Sequence, residues 1–172
     1  PQKEALRTAV CLPLTDDEYG FGGGLFFIGY FLFEIPSNLA LRRFGARVWI
    51  ARIMIVWGLV SMAFMFIQST MMFYVMRFLL GAAEAGFFPG VVLYLTYWYP
   101  HRERAGTIAL FALGGVLAGV VGSPISGAIL DGMNGLAGLA GWKWLFLIEA
   151  IPAVLMGFVV WVILPNRPRD AS

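Results

Sequence analysis

The chain of 172 residues has one cysteine, Cys11, one histidine, His101, and few charges of either sign. A single cysteine excludes an intrachain disulfide, and one cysteine with one histidine cannot build a zinc cluster or a redox pair. No metal or organic cofactor is expected. Charged residues are 13% of the sequence, against about a quarter in soluble domains, so the surface lacks the charge that keeps a folded chain in water. A net charge of +2 is too small to form a nucleic-acid-binding face. No basic-then-apolar leader opens the sequence at Pro1, and a polar run, LPNRPRDAS, closes it. Both ends are expected to be cuts in a longer chain.

Apolar residues are abundant. They make up 60% of the sequence, with 15 Phe, 8 Met and 6 Trp, and the mean hydropathy is +0.80. The 21 glycines suit helices packed backbone to backbone in lipid, where small residues permit close approach. A membrane span needs roughly 20 mostly apolar residues. Five segments qualify: about 19–41, 49–67, 73–99, 105–130 and 144–164. The fold class is therefore all-α, a polytopic membrane helix bundle. Residues 1–18 form a polar segment that cannot span, 19–165 the bundle, and 166–172 the start of a linker.

Loop charge orients the bundle. Arg42, Arg43, Arg47 and Arg52 fall between the first two spans, Arg102 and Arg104 between the third and fourth, and Arg167 and Arg169 after the fifth. The opposite face has Gln68-Ser69-Thr70 in one loop and Asp131 with Lys143 in the other. Cytoplasmic loops carry the Lys/Arg excess, so the chain enters from outside and finishes inside. Tyr97, Trp98 and Tyr99 are expected at the inner border, Trp142 and Trp144 at the outer one.

Arg77 and Glu84 are the only charged residues in the third span and its flank, FYVMRFLLGAAEAGFFPGVVLYLTYWYP. Charges at membrane depth are costly, and they face a bundle interior or a water-filled path rather than lipid. Seven residues separate the two, about 10.5 Å along a helix and within roughly 20° of one face. Arginine offers a planar fork matched to a carboxylate, and a carboxyl group can exchange a proton. Together they suit the movement of an anion with a proton, with Arg77 binding substrate and Glu84 coupling the proton. The competing role for each is a structural ion pair with another helix. Gly81 lies on the same stripe and lets a substrate or a neighbouring helix reach the backbone between the charges; it is grouped here with the substrate-binding residues. Glu149, ahead of Pro152 in the fifth span, could line the outer vestibule or hold the helix start to a loop. Glu34, near the inner end of the first span, suits a gate or fastener close to Arg42 and Arg43. Pro124 and the glycines of GVVGSPISGA mark a hinge or packing surface in the fourth span. His101 is expected to be solvated among the arginines.

The segments GLFFIGYFLFEIPSNLALRRFGAR, RFLLGAAEAGFFPGVVLYLTYWYP and GWKWLFLIEAIPA resemble the anion:cation symporter family of the major facilitator superfamily. The likeness is to bacterial tartrate-, phthalate-, hydroxyphenylacetate- and sugar-acid-type permeases, and it runs from about Leu14 to the end. It implies a bacterial inner-membrane carrier of twelve helices in two six-helix bundles, of which these spans would be helices two to six. The first helix and the carboxy-terminal bundle would then be missing, and the chain would not transport alone. By the resemblance, Arg77 matches the arginine that binds the substrate carboxylate, and Glu84 the acid implicated in proton coupling, with sodium as the other candidate ion. Arg43, Gly45 and Arg47 match the superfamily's cytoplasmic loop motif, while Arg42 stands where that loop usually has Asp. In the fifth-helix motif, Ser123 and Ala128 replace glycines. The partners implied are a small organic carboxylate, a coupling ion and the lipid bilayer. A channel or structural subunit remains an alternative; a membrane-embedded enzyme is the weakest, since no span holds a cysteine, histidine or aspartate for catalysis.

Overall fold

A computed structural model describes residues 14–165. Most of the polar segment 1–18, the linker expected at 166–172, and with them Lys3, Arg7, Cys11, Arg167 and Arg169, lie outside the described residues. Among the described residues six α-helices follow one another: α1 (Asp16–Phe44), α2 (Ala46–Ala63), α3 (Thr70–Glu84), α4 (Phe87–Trp98), α5 (His101–Gly132) and α6 (Gly141–Ile163), with short 3-10 turns at Phe64–Phe66 and Leu136–Gly138. Taking α3 and α4 as one stretch, five are long and apolar enough to cross a membrane. The all-α bundle is as expected.

Helix α1 begins a turn before its expected start at Tyr19. The Thr15 hydroxyl accepts from the Glu18 amide at 3.2 Å, and the Glu18 carboxylate accepts from the Thr15 amide at 2.8 Å. This capping box satisfies two end groups at once, and Asp16, Asp17 and Glu18 sit at the positive end of the helix dipole. Helix α3 starts in the same way, with the Ser69 hydroxyl accepting from the Met72 amide at 3.2 Å.

The third span corrects the expectation of one continuous helix. It stops at Glu84, and Gly86 stands at φ +83° in the left-handed region before α4 resumes. That conformation is cheap only for glycine. Gly86 also has no room for a side chain, because a Cβ there would strike the Ser37 hydroxyl. By contrast α5 runs unbroken through Pro124.

Two tight helix pairs organise the bundle, α1 with α3 and α2 with α6. The second pair is antiparallel: Gly58 abuts the Ala150 carbonyl, and Gly157 abuts the Ala51 carbonyl. The first pair is parallel. Gly22 meets the Phe73 ring, Gly29 the Phe78 carbonyl, Gly81 the Phe26 carbonyl and Tyr30 amide, and Gly86 meets Ser37. Helix α5 is held mainly by α4 and α6 and buries only Ile129.

The crossing makes Gly81 a sensitive position. Gly81→Ala forces a methyl group into the α1 backbone and is expected to destabilise by about 1–3 kcal/mol, as overpacking does. Thermal unfolding of the purified full-length protein checks this, with Gly23→Ala, whose Cβ meets nothing, as the control. Equal midpoints for the two variants would contradict the crossing.

At the arginine-rich side, Gly45 alone joins α1 to α2 and donates its amide to the Leu41 carbonyl at 2.9 Å. Arg47 donates through Nε to the Trp161 carbonyl in the last turn of α6, a cation on a helix's negative end. Arg43 lies over the Phe44 ring at 5.8 Å. Arg104 ties the end of α4 to α5, donating to the Thr96 carbonyl at 2.9 Å and the Tyr99 carbonyl at 3.3 Å. His101 is exposed, as expected, but begins a helix. Trp142 lies in the first turn of α6, at the helix end as expected, but is 2% exposed and edge-on to Phe146. Trp144 does keep a border-like polar contact, donating from Nε1 to the Leu136 carbonyl at 3.1 Å.

Candidate functional site

Helix α3 carries Arg77 and Glu84 on one uninterrupted stretch, so the expected stacking of the two charges holds in the structure. They form no ion pair with each other. The Arg77 guanidinium sits among aromatic rings: its Cζ lies 5.1 Å from the centroid of Phe73, 5.3 Å from Tyr19 and 5.9 Å from Phe64. Its Nη2 donates to the Tyr19 hydroxyl at 3.4 Å. Its Nε is buried without a hydrogen-bond partner. No carboxylate pairs with Arg77 among the described residues, so the structural ion pair weighed from sequence is absent there. Rings stabilise a cation through their quadrupoles but do not neutralise it. Phe73, one turn before Arg77, was readable as its neighbour. Tyr19 and Phe64 come from other helices, and no local pattern announces them.

Glu84 is half-buried at the last residue of α3. Among the described residues its carboxylate makes no hydrogen bond or ion pair. The helix break directly after it is packed inside the protein, with Ala85 fully buried and Gly86 against Ser37, the setting in which non-helical backbone is tolerated at membrane depth.

Gly81 is corrected. The α1 backbone covers it, so the helix rather than a substrate occupies the approach between the two charges. Glu34 is corrected in depth. Helix α1 extends ten residues beyond it to Phe44, about 15 Å of helix, so it is no fastener at the helix end. Its backbone carbonyl accepts from the Asn38 side chain at 3.0 Å, and it has no ion pair with Arg42 or Arg43. For Glu149, the Ser126 hydroxyl donates to its carboxylate, joining α5 to α6. Glu149 also lines a cavity of about 100 Å3 with Trp57, Gly58, Ser61, Ala150 and Ala153. The bond favours the holding role over the vestibule. An open apolar groove of about 480 Å3 on the outer face of α1 and α3 is lined by residues that include Phe21, Leu25, Met71, Tyr74 and Phe78. Neither is lined by Arg77 or Glu84.

Ser37 is a polar residue buried at 6% exposure, and sequence reasoning passed it over. Its hydroxyl accepts from Trp49 Nε1 at 2.9 Å, and it lies against Gly86 at the helix break. It thus fixes α1, α2 and the α3–α4 junction at one point.

Residues 9–172 match the profile of a family described as Major Facilitator Superfamily. A protein of Agrobacterium vitis named for tartrate transport is 59% identical over 161 residues, which are 94% of this chain and 36% of that protein. A Pseudomonas putida protein named as the metabolite transport protein NicT is 58% identical over 94% of this chain and 37% of its own length. A protein of Acinetobacter baumannii named as a quinolone resistance transporter is 52% identical over 90% of this chain and 35% of its own. The chain thus spans about a third of the length of the relatives it matches. Among solved structures, an inward-facing, unoccupied bacterial homologue of the human lysosomal transporter Spinster superposes with a TM-score of 0.73 at 24% identity, over 96% of this chain and 39% of that one. That likeness speaks to the fold alone.

Proposed function

This chain belongs to the Major Facilitator Superfamily, and from that premise we propose that it forms one wall of an alternating-access carrier for a small organic carboxylate. It is a multi-pass membrane protein. The observation that carries the proposal is Arg77: a permanently charged guanidinium at membrane depth, ringed by Tyr19, Phe64 and Phe73, with no anionic partner among the described residues. A cation so placed needs an anion, and a carboxylate matches its fork. Glu84, about 10.5 Å away along α3, is the group that takes up and releases the coupling proton. The relative named for tartrate transport supports the substrate class. The anion:cation symporter family, a preceding helix and a second six-helix bundle belong to the same proposal, because the matched stretch is little more than a third of the relatives' length. Alternating access would then come from rocking one bundle against the other around a midplane site.

The test is uptake by the full-length protein in proteoliposomes, using labelled tartrate, phthalate, hydroxyphenylacetate and gluconate. Uptake of at least one acid should saturate with concentration and be stimulated by an inward proton gradient. It should vanish with a protonophore and persist without sodium. Stimulation by sodium alone would replace the coupling ion. No gradient-driven movement of any acid, with export of a quinolone instead, would favour the function named for the Acinetobacter relative.

A further inference from the structure

Tyr19 touches Arg77, the cation on which the proposed function depends, and the mechanism above leaves its hydroxyl without a role. Its place follows from the start of α1. The Thr15–Glu18 capping box fixes the first turn, and the Tyr19 amide donates to the Thr15 carbonyl at 3.0 Å. One turn later Gly22 leaves room for the Phe73 ring, which a side chain there would strike. Phe73 therefore lies against α1, fully buried, and stacks on Tyr19 with 6.0 Å between centroids and 23° between planes. Arg77 stands one turn beyond Phe73 on the same face of α3, so its guanidinium lies over both rings, 5.3 Å from Tyr19 and 5.1 Å from Phe73. Phe64, from the turn after α2, stands at 5.9 Å. The two phenylalanines offer only ring carbon. Tyr19 adds an oxygen, and Arg77 Nη2 donates to it at 3.4 Å. That is longer than an ordinary N–H···O bond, so the contact orients the guanidinium without satisfying it. Of the arginine's N–H donors, the one on Nε is buried without a partner, and Nη1 makes no hydrogen bond among the described residues. The donors left to a carboxylate are the terminal fork, Nη1 and the second N–H of Nη2.

We propose that Tyr19 is a positioning residue for substrate recognition: its hydroxyl and ring hold the Arg77 guanidinium in one orientation, with the terminal fork turned to the substrate carboxylate. This deepens the carboxylate reading of Arg77 and rests on it. The physical basis is entropy. A long side chain that must be immobilised when it clamps a ligand weakens the binding by its lost rotamer freedom. A guanidinium already fixed by Tyr19 and Phe73 has met that cost before the substrate arrives. The rings bring no full negative charge, so the cation remains to be neutralised by the substrate. Lysine has no planar fork to orient, and this separates orientation of Arg77 from general packing by Tyr19.

The test is a double-mutant cycle in the purified full-length protein, with Tyr19→Phe made in the wild type and in Arg77→Lys. The probe is whichever of labelled tartrate, phthalate, hydroxyphenylacetate and gluconate the wild type accumulates most. Tyr19→Phe keeps the ring and removes one oxygen, so the packing against Phe73 is retained. It should weaken equilibrium binding about threefold to tenfold, the effect of leaving one side chain to be ordered by the ligand. Maximal uptake at saturating acid should stay within about twofold of wild type. In Arg77→Lys the same change should alter binding by less than about twofold. Unchanged binding by Tyr19→Phe overturns the proposal. Tighter binding overturns it too, because the hydroxyl would then compete with the carboxylate. Equal weakening in both backgrounds is a packing effect that ignores the fork, and it also overturns the proposal. Wild-type affinity in Arg77→Ala sinks the carboxylate reading itself, whatever Tyr19→Phe does, and the positioning role falls with it.

Discussion

Arg77→Ala in the full-length protein is expected to weaken carboxylate binding by at least about 30-fold and to bring uptake close to background. Truncating one partner of a buried, hydrogen-bonded charge pair costs about 2–5 kcal/mol, and each 1.4 kcal/mol is about tenfold in affinity. The upper part of that range applies if the guanidinium is the sole cation for the carboxylate. Arg77→Lys keeps the charge but loses the planar fork, which holds both oxygens at once, and should fall between alanine and wild type. Folding should survive either change, since the close α1–α3 backbone contact is made by Gly22, Gly29 and Gly81, to which Arg77 adds only its contact with Tyr19. Saturation kinetics and equilibrium binding check the result. Wild-type affinity in Arg77→Ala would leave the arginine with no role beyond its aromatic neighbours.

Glu84→Gln should separate two activities that the wild type combines. Proton-driven accumulation is expected to collapse, the internal concentration of substrate only equalling the external one. Exchange of internal for external substrate should continue, because a neutral amide mimics the protonated acid. The distinction follows from the role: a coupling group controls net movement of an empty carrier, not the return of a loaded one. Parallel assays of gradient-driven uptake and counterflow in the same vesicles give both rates. Driven uptake at the wild-type level would remove Glu84 from the coupling step.

The bundle was largely legible in the sequence because its signal is composition over about twenty residues, which tolerates error at the ends. The ends themselves turn on single side chains. The T-x-x-E box at Thr15 and Glu18 was present in the sequence, yet the acidic residues of that turn were assigned to the polar segment. The break at Gly86 was hidden because AAEAGFF is apolar apart from Glu84, and hydropathy carries no record of φ. The pair Arg77 and Glu84 was visible because charges in an apolar run are rare, and their spacing survives as continuous helix. What surrounds them depends on how helices cross. Gly81 admits a helix as readily as a ligand, and only the α1 backbone decides between them. The burial of Trp142 at the start of α6 followed the same logic, since it depends on which helices pack there. Glu34 was placed near a helix end because α1 was taken as three residues shorter at its inner side.

The account stands or falls on a carboxylate meeting the Arg77 guanidinium. The most direct measurement is a binding cycle on the purified full-length protein, comparing the transported acid with its neutral amide in wild type and in Arg77→Ala. Wild type should prefer the acid by at least about 30-fold, the lower bound for a buried charge pair, and Arg77→Ala should bind acid and amide alike. Retention of the wild-type preference in Arg77→Ala would contradict the account, because the negative charge would then be recognised elsewhere.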